Sequence, residues 1–87
     1  MANYSVHLKR SAAKEIEDLG TRTLRRRIIS KIRRLAADPR PAGCQKLSRD
    51  ENVYRVRLGD YRIVYRIDDH DKLVVIIKVG HRRDIYR

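Results

Sequence analysis

Arg55, Arg57, Arg62 and Arg66 fall at even spacings on either side of Gly59-Asp60. In extended chain, residues two apart share a face, so these guanidinium groups gather on one surface. Such a set suits forked contacts to phosphate. Further along stand an imidazole, His81, and a phenol, Tyr86. Together these groups fit one reaction that needs no metal, the cleavage of RNA by its own 2′-hydroxyl. The nucleophile belongs to the substrate there. The protein must orient it, neutralise the phosphorane and move two protons. Guanidiniums stay protonated, so they neutralise. His81 and Tyr86 are the candidates for proton transfer, an imidazole being the better matched to neutral pH. Plainer readings are a hydrogen-bonded histidine at a strand end, a packing or base-stacking tyrosine, and a solvated arginine face.

The elements that hold these residues follow from the pattern. Residues 53–67 alternate with period two around Gly59-Asp60, which reads as a hairpin with a type II′ turn. That register sets Leu58 opposite Tyr61, Arg57 opposite Arg62, Val56 opposite Ile63 and Arg55 opposite Val64. Tyr54, Val56, Leu58, Tyr61, Ile63 and Tyr65 then form a core face, and the arginines form the other. An Arg57–Arg62 pair directly opposed is unfavourable for folding. An anion would compensate it.

Tyr4, Val6 and Leu8 alternate as a short first strand. Ser11 suits the N-cap of a helix with Ala12, Ala13, Ile16 and Leu19 on one side, ending at Gly20. Thr21 suits the cap of a second helix carrying Leu24, Ile28, Ile32 and Leu35. Pro39 stops it near Asp38. Residues 40–46 read as loop, and 72–79 as a nearly continuous apolar strand covered on both faces. The expected fold is α+β: a strand, a helical hairpin, then a three-stranded antiparallel meander, in one mostly antiparallel sheet with the helices on one face. Residues 1–87 make one domain with no internal repeat.

Charge points to the partner. The 87 residues hold 22 Lys and Arg against 11 Asp and Glu, a formal +11. A surplus of that size favours nucleic acid, the ribosome, an anionic membrane or an acidic protein. The second helix presents Arg22, Arg25, Arg26, Arg27, Lys31, Arg33 and Arg34 without interleaved glutamate. Arg25, Arg26, Arg33, Arg34, Arg66 and Arg83 are the expected RNA or ribosome contacts. No apolar run reaches the ~18 residues of a membrane span. The N-terminus lacks a signal-peptide layout, and Cys44 is a single cysteine, so a cytoplasmic protein is expected. Asp68-Asp69-His70-Asp71 lacks the glycine and spacing of a calcium loop and reads as a turn. No metal or cofactor is expected.

Three stretches together resemble the RelE/ParE superfamily of bacterial and archaeal toxins, and the RelE branch most. They are Lys46-Leu47, Tyr54-Arg55-Val56-Arg57-Leu58-Gly59-Asp60-Tyr61-Arg62-Ile63-Val64-Tyr65, and Val79-Gly80-His81-Arg82-Arg83-Asp84-Ile85-Tyr86. The resemblance implies a ribosome-dependent messenger-RNA endonuclease that cuts A-site codons, leaving a 2′,3′-cyclic phosphate and a 5′-hydroxyl. It implies a cognate antitoxin, a small acidic protein through which alone operator DNA is bound. Carried over, the family's active positions fall on Arg55, Arg57, Arg62, Arg82 and Tyr86, with Lys46 holding RNA or ribosome. Some members carry lysines where this chain has Arg55 and Arg57. Here the base is then His81, or activation is mostly electrostatic. Two other readings use the same residues: a ParE-like inhibitor of gyrase, and a basic RNA- or ribosome-binding module without chemistry.

Overall fold

A computed structural model of the chain describes residues 3–47 and 52–85. Tyr86 lies outside them. The elements run β1 (Ser5–Leu8), α1 (Arg10–Glu17), α2 (Arg22–Arg34), β2 (Gln45–Lys46), β3 (Val53–Leu58), β4 (Tyr61–Asp68), β5 (Leu73–His81) and α3 (Arg82–Ile85). The sheet order is β1-β5-β4-β3-β2. β1 joins β5 in parallel, and the other neighbours are antiparallel. This is the expected strand, helical hairpin and meander.

The hairpin has the register its turn dictates. Leu58 faces Tyr61, Arg57 faces Arg62, Val56 faces Ile63 and Arg55 faces Val64. Gly59 has φ +60, the left-handed value that a II′ turn needs at its first position. Tyr54, Val56, Ile63 and Tyr65 are buried against Ala12, Ile16, Ile28, Ile32 and Leu35 of the helical hairpin. Ile67, Val74, Ile76 and Val79 complete that core. The helices therefore cover one face of the sheet and leave the arginine face to other uses.

Local details depart from expectation for identifiable reasons. Lys9, not Ser11, is the N-cap of α1, and it makes no side-chain cap bond. Its N–H donates to the Ile76 carbonyl at 3.0 Å, so the chain turns helical as it leaves the sheet. α1 ends at Glu17, before Gly20. Thr21 does cap α2, its Oγ1 accepting from the Leu24 N–H at 3.2 Å. α2 ends at Arg34, after which Leu35, Ala36 and Ala37 donate three residues back and tighten the exit. β5 runs two residues beyond Val79, and Val75 and Ile77 are only half-buried because no helix covers their side. Val64 pairs with Lys78 but Tyr65 with Ile76, so Ile77 is the extra residue of a bulge. β2, inside the expected 40–46 loop, and the single turn α3 were not anticipated.

A polar clasp ties the α2–β2 loop to the far end of the sheet. Arg40 grips Asp69 through Nη1 and Nη2 at 3.1 and 2.8 Å, and its Nε donates to the Tyr54 hydroxyl at 3.1 Å. The Tyr4 hydroxyl also donates to Asp69, at 2.6 Å. The buried Tyr65 hydroxyl donates to the Pro39 carbonyl at 2.7 Å, and burial pushes that phenol well above its ordinary range. Arg40, and after it Tyr4, hold the Asp69 carboxyl down at about 2, from 3.8. A depressed carboxylate stabilises the fold above its unfolded value, and that contribution is lost as pH falls through the folded value. Asp69→Asn is therefore expected to be less stable than wild type at pH 7. The difference should close between about pH 4 and pH 2 in urea titrations. A gap independent of pH would show that the clasp does not act through charge.

Candidate active site

Arg55 and Arg62 sit on adjacent strands of the uncovered face, and both are buried, at 8% and 6% exposure. A buried cation is costly unless an anion or a full set of acceptors meets it. Arg62 lies on the strand just after the turn, and its Nη1 reaches back to the Gly59 and Tyr61 carbonyls at 3.4 and 3.2 Å. Its Nε is buried with no hydrogen-bond partner, and no carboxylate pairs with it among the described residues. Carbonyl oxygens orient the guanidinium without cancelling its charge. Directly opposite is Arg57, exposed on β3. On the other side β5 offers Gly80, which carries no side chain. Arg55 donates through Nη2 to the Gln45 amide oxygen from β2. The result is a compact cationic face made of Arg55, Arg57 and Arg62, close to the β3–β4 turn.

Arg82 follows at the end of β5. As β5 ends, the Arg82 N–H donates to the Asp60 carbonyl at 2.8 Å, which fastens the start of α3 to the hairpin turn. Arg82 itself is exposed. Tyr86 lies beyond the described residues.

Other expected site residues are elsewhere. His81 pairs with Tyr61, and their rings meet edge to face at 5.4 Å. Tyr61 belongs to the helix-side face, so strand alternation sets His81 opposite to the arginines. Its Nδ1 accepts from the Arg83 N–H at 3.2 Å and its ring borders a cleft with Glu15 and Asp18. Lys46 pairs with Tyr54 and so falls on the helix-side parity as well. Arg66 is on the arginine face but four residues past Arg62, roughly 13 Å along the strand. It lies near Asn52 and Asp68.

The basic helix face also divides. Arg25 donates from Nη1 to the Glu17 and Leu19 carbonyls, both at 3.4 Å, joining the end of α1 to α2. That contact gives Arg25 a structural task at the turn between the helices. Arg26 and Arg34 line a groove with Arg27, Lys31 and Leu58. Arg33 instead borders an apolar groove of about 460 Å³ lined by Val6, Leu8, Ile16, Ile29 and Ile32.

Gln45 is the site residue that sequence reasoning missed. A lone glutamine between a proline-rich loop and a hairpin gives no periodic signal, and a strand of two residues cannot show alternation.

Comparison with known proteins agrees with this architecture. The family model described as the ParE toxin of the type II toxin-antitoxin system parDE matches residues 6–86. Toxin RelG of Mycobacterium tuberculosis is 33% identical over 84 residues, covering 97% of each chain. In the archaeal RelE–RelB complex from Pyrococcus horikoshii, a chain aligns with a TM-score of 0.82 and 30% identity, covering 97% of this chain and 99% of that one. The intact RelBE toxin–antitoxin complex of E. coli gives 0.75 and 31%, covering 90% and 95%. The chain thus belongs to the RelE/ParE superfamily of toxins from type II toxin–antitoxin systems.

Proposed function

We propose that this toxin is a ribosome-dependent messenger-RNA endonuclease that cuts codons in the A site. The observation that carries the reading is Arg62, a buried guanidinium with no carboxylate partner among the described residues, facing the like-charged Arg57. A gyrase-binding surface has no need for such an arrangement, whereas a phosphorane needs charge held in place before it forms. Arg55, Arg57 and Arg62 bind the scissile phosphate and stabilise the transition state by bidentate contacts. Arg82 meets the phosphate from the end of β5. The substrate supplies the 2′-hydroxyl, and the products are a 2′,3′-cyclic phosphate and a 5′-hydroxyl. No metal or cofactor enters this chemistry. Because His81 is on the opposite parity, proton transfer falls to Tyr86, with activation mainly electrostatic.

The groove lined by Arg26, Arg27, Lys31 and Arg34, with Arg66 and Arg83, supplies ribosomal phosphate contacts. The cognate partner is a small acidic antitoxin of the RelB kind, as in the RelE–RelB and RelBE complexes. It docks on the helix pair and the adjoining end of β1, where Ile29 of α2 and Leu8 of β1 leave apolar surface exposed. Operator DNA is reached through the antitoxin alone. No helix among the described residues is long and apolar enough to cross a membrane, and the substrate proposed is cytoplasmic.

The test is to treat programmed ribosomes with the purified toxin and analyse the RNA ends. Cyclic-phosphate 3′-ends and hydroxyl 5′-ends on ribosome-bound message, with naked RNA intact, are expected. The ParE description of the matching family model favours a second reading, gyrase inhibition. That reading predicts intact message and loss of DNA supercoiling.

A further inference from the structure

Gly80 stands directly opposite Arg62 in the β4–β5 ladder, and Arg57 opposes Arg62 on its other side. Facing residues of neighbouring strands share one face, so the row Arg57–Arg62–Gly80 crosses three strands with its third place bare. A glycine inside a strand weakens it, because it loses the most conformational freedom and offers its neighbours nothing to pack against. Backbone shape does not ask for one here: the glycines with positive φ among the described residues are Gly43 and Gly59. A bare place in such a strand suits the close approach of a ligand.

The residue beside that bare place is poised to receive one. Arg62 is buried, and its Nη1 is the nitrogen committed to the Gly59 and Tyr61 carbonyls. Its Nε is buried with no partner among the described residues. Nε and Nη2 form an edge with which a guanidinium can grip a phosphate through two parallel bonds. The turn carbonyls thus fix the group by one nitrogen and leave that edge to a ligand. Arg57 fills the β3 flank of Arg62, and Gly80 leaves the β5 flank without a side chain.

We propose that Gly80 is a positioning residue whose missing side chain gives the scissile phosphate its way to the Nε–Nη2 edge of Arg62. This rests on the reading of the arginine face as a phosphate site. A Cβ at this place would stand about 5 Å from that of Arg62, in the space that a phosphate and its ribose need. A methyl takes part of that berth, and a branched side chain takes most of it. The strand itself gains from either, since alanine loses less freedom and valine has a high strand propensity. Stability and cleavage should therefore move in opposite directions. A glycine kept for packing would move them together.

The experiment compares Gly80→Ala and Gly80→Val with wild type by three measurements. They are thermal unfolding, single-turnover cleavage on saturating programmed ribosomes, and the Arg62 Nε–H NMR signal during titration with inorganic phosphate. Both variants should unfold at a Tm no lower than that of wild type. Gly80→Ala should cut about tenfold and Gly80→Val about a hundredfold more slowly, the scale of loss when reacting groups are displaced by about 1 Å. Ribosome binding should be unchanged. Phosphate should shift the Arg62 signal in the wild type and leave it unmoved, at the same concentrations, in Gly80→Val. A lowered Tm in Gly80→Ala would overturn the proposal by making the glycine a packing requirement. Wild-type cleavage by Gly80→Val would overturn it too, as would an Arg62 signal that phosphate moves equally, or not at all, in all three proteins. If the wild type cuts no message, the nuclease reading fails by itself. The Tm and the phosphate titration still decide the role of Gly80.

Discussion

Arg62→Met should give a more stable protein that no longer cuts RNA. The buried guanidinium is held by the Gly59 and Tyr61 carbonyls but not neutralised among the described residues, and Arg57 stands opposite it. Methionine fills a similar volume with no charge to desolvate and no like-charged neighbour to repel. Urea denaturation should show a gain of about 1–2 kcal/mol, since apolar replacement of buried charge often stabilises by amounts of that order. Cleavage on programmed ribosomes should fall about a thousandfold, the scale on which a transition-state arginine acts. Arg82→Ala should lose cleavage comparably, and ribosome binding should survive in both variants. A destabilised Arg62→Met would mean that the guanidinium supports the fold. Cleavage at near wild-type rate would remove Arg62 from the site.

Ile63→Ala should cost about 2–5 kcal/mol, the range for deleting a buried branched side chain. Ile63 is fully buried and lies between Val56 of β3 and Val79 of β5, with the helical hairpin above. The sheet fixes its backbone on both sides, so neighbours cannot close the space by a simple shift. Whole-domain stability is only about 5–15 kcal/mol, and a chain of 87 residues has one modest core. The variant should therefore unfold at much lower urea with an unchanged slope. A loss below about 1 kcal/mol would show that the meander is not the centre of the core. The contrast with Arg62, its neighbour in sequence, separates the two faces of one strand: one side carries stability, the other carries charge.

Much of this was legible because period-two alternation is a strong local signal. Gly59-Asp60 fixed the hairpin register, and from it came the Arg57–Arg62 opposition and the core positions of Tyr54, Val56, Ile63 and Tyr65. Thr21 marked its helix start for the same local reason. What escaped depends on contacts distant in sequence. Arg40 and Asp69 read as loop and turn residues until the fold brings them to 2.8 Å. Burial of Arg55 and Arg62 was not visible either, since an arginine on the outward parity reads as solvated. The face of His81 was not legible, because its parity is set by the register of β5 around the Ile77 bulge. A residue's chemistry is written in its type, but its face is set by every irregularity between it and the nearest fixed turn.

The most direct test is to add the purified toxin to a translation extract and map messenger 5′-ends by primer extension, with Arg62→Met alongside. The proposed function predicts cuts in phase with the reading frame at the A site, absent on naked RNA and absent with Arg62→Met. An intact message with the wild-type toxin, or the same cuts with Arg62→Met, would contradict it.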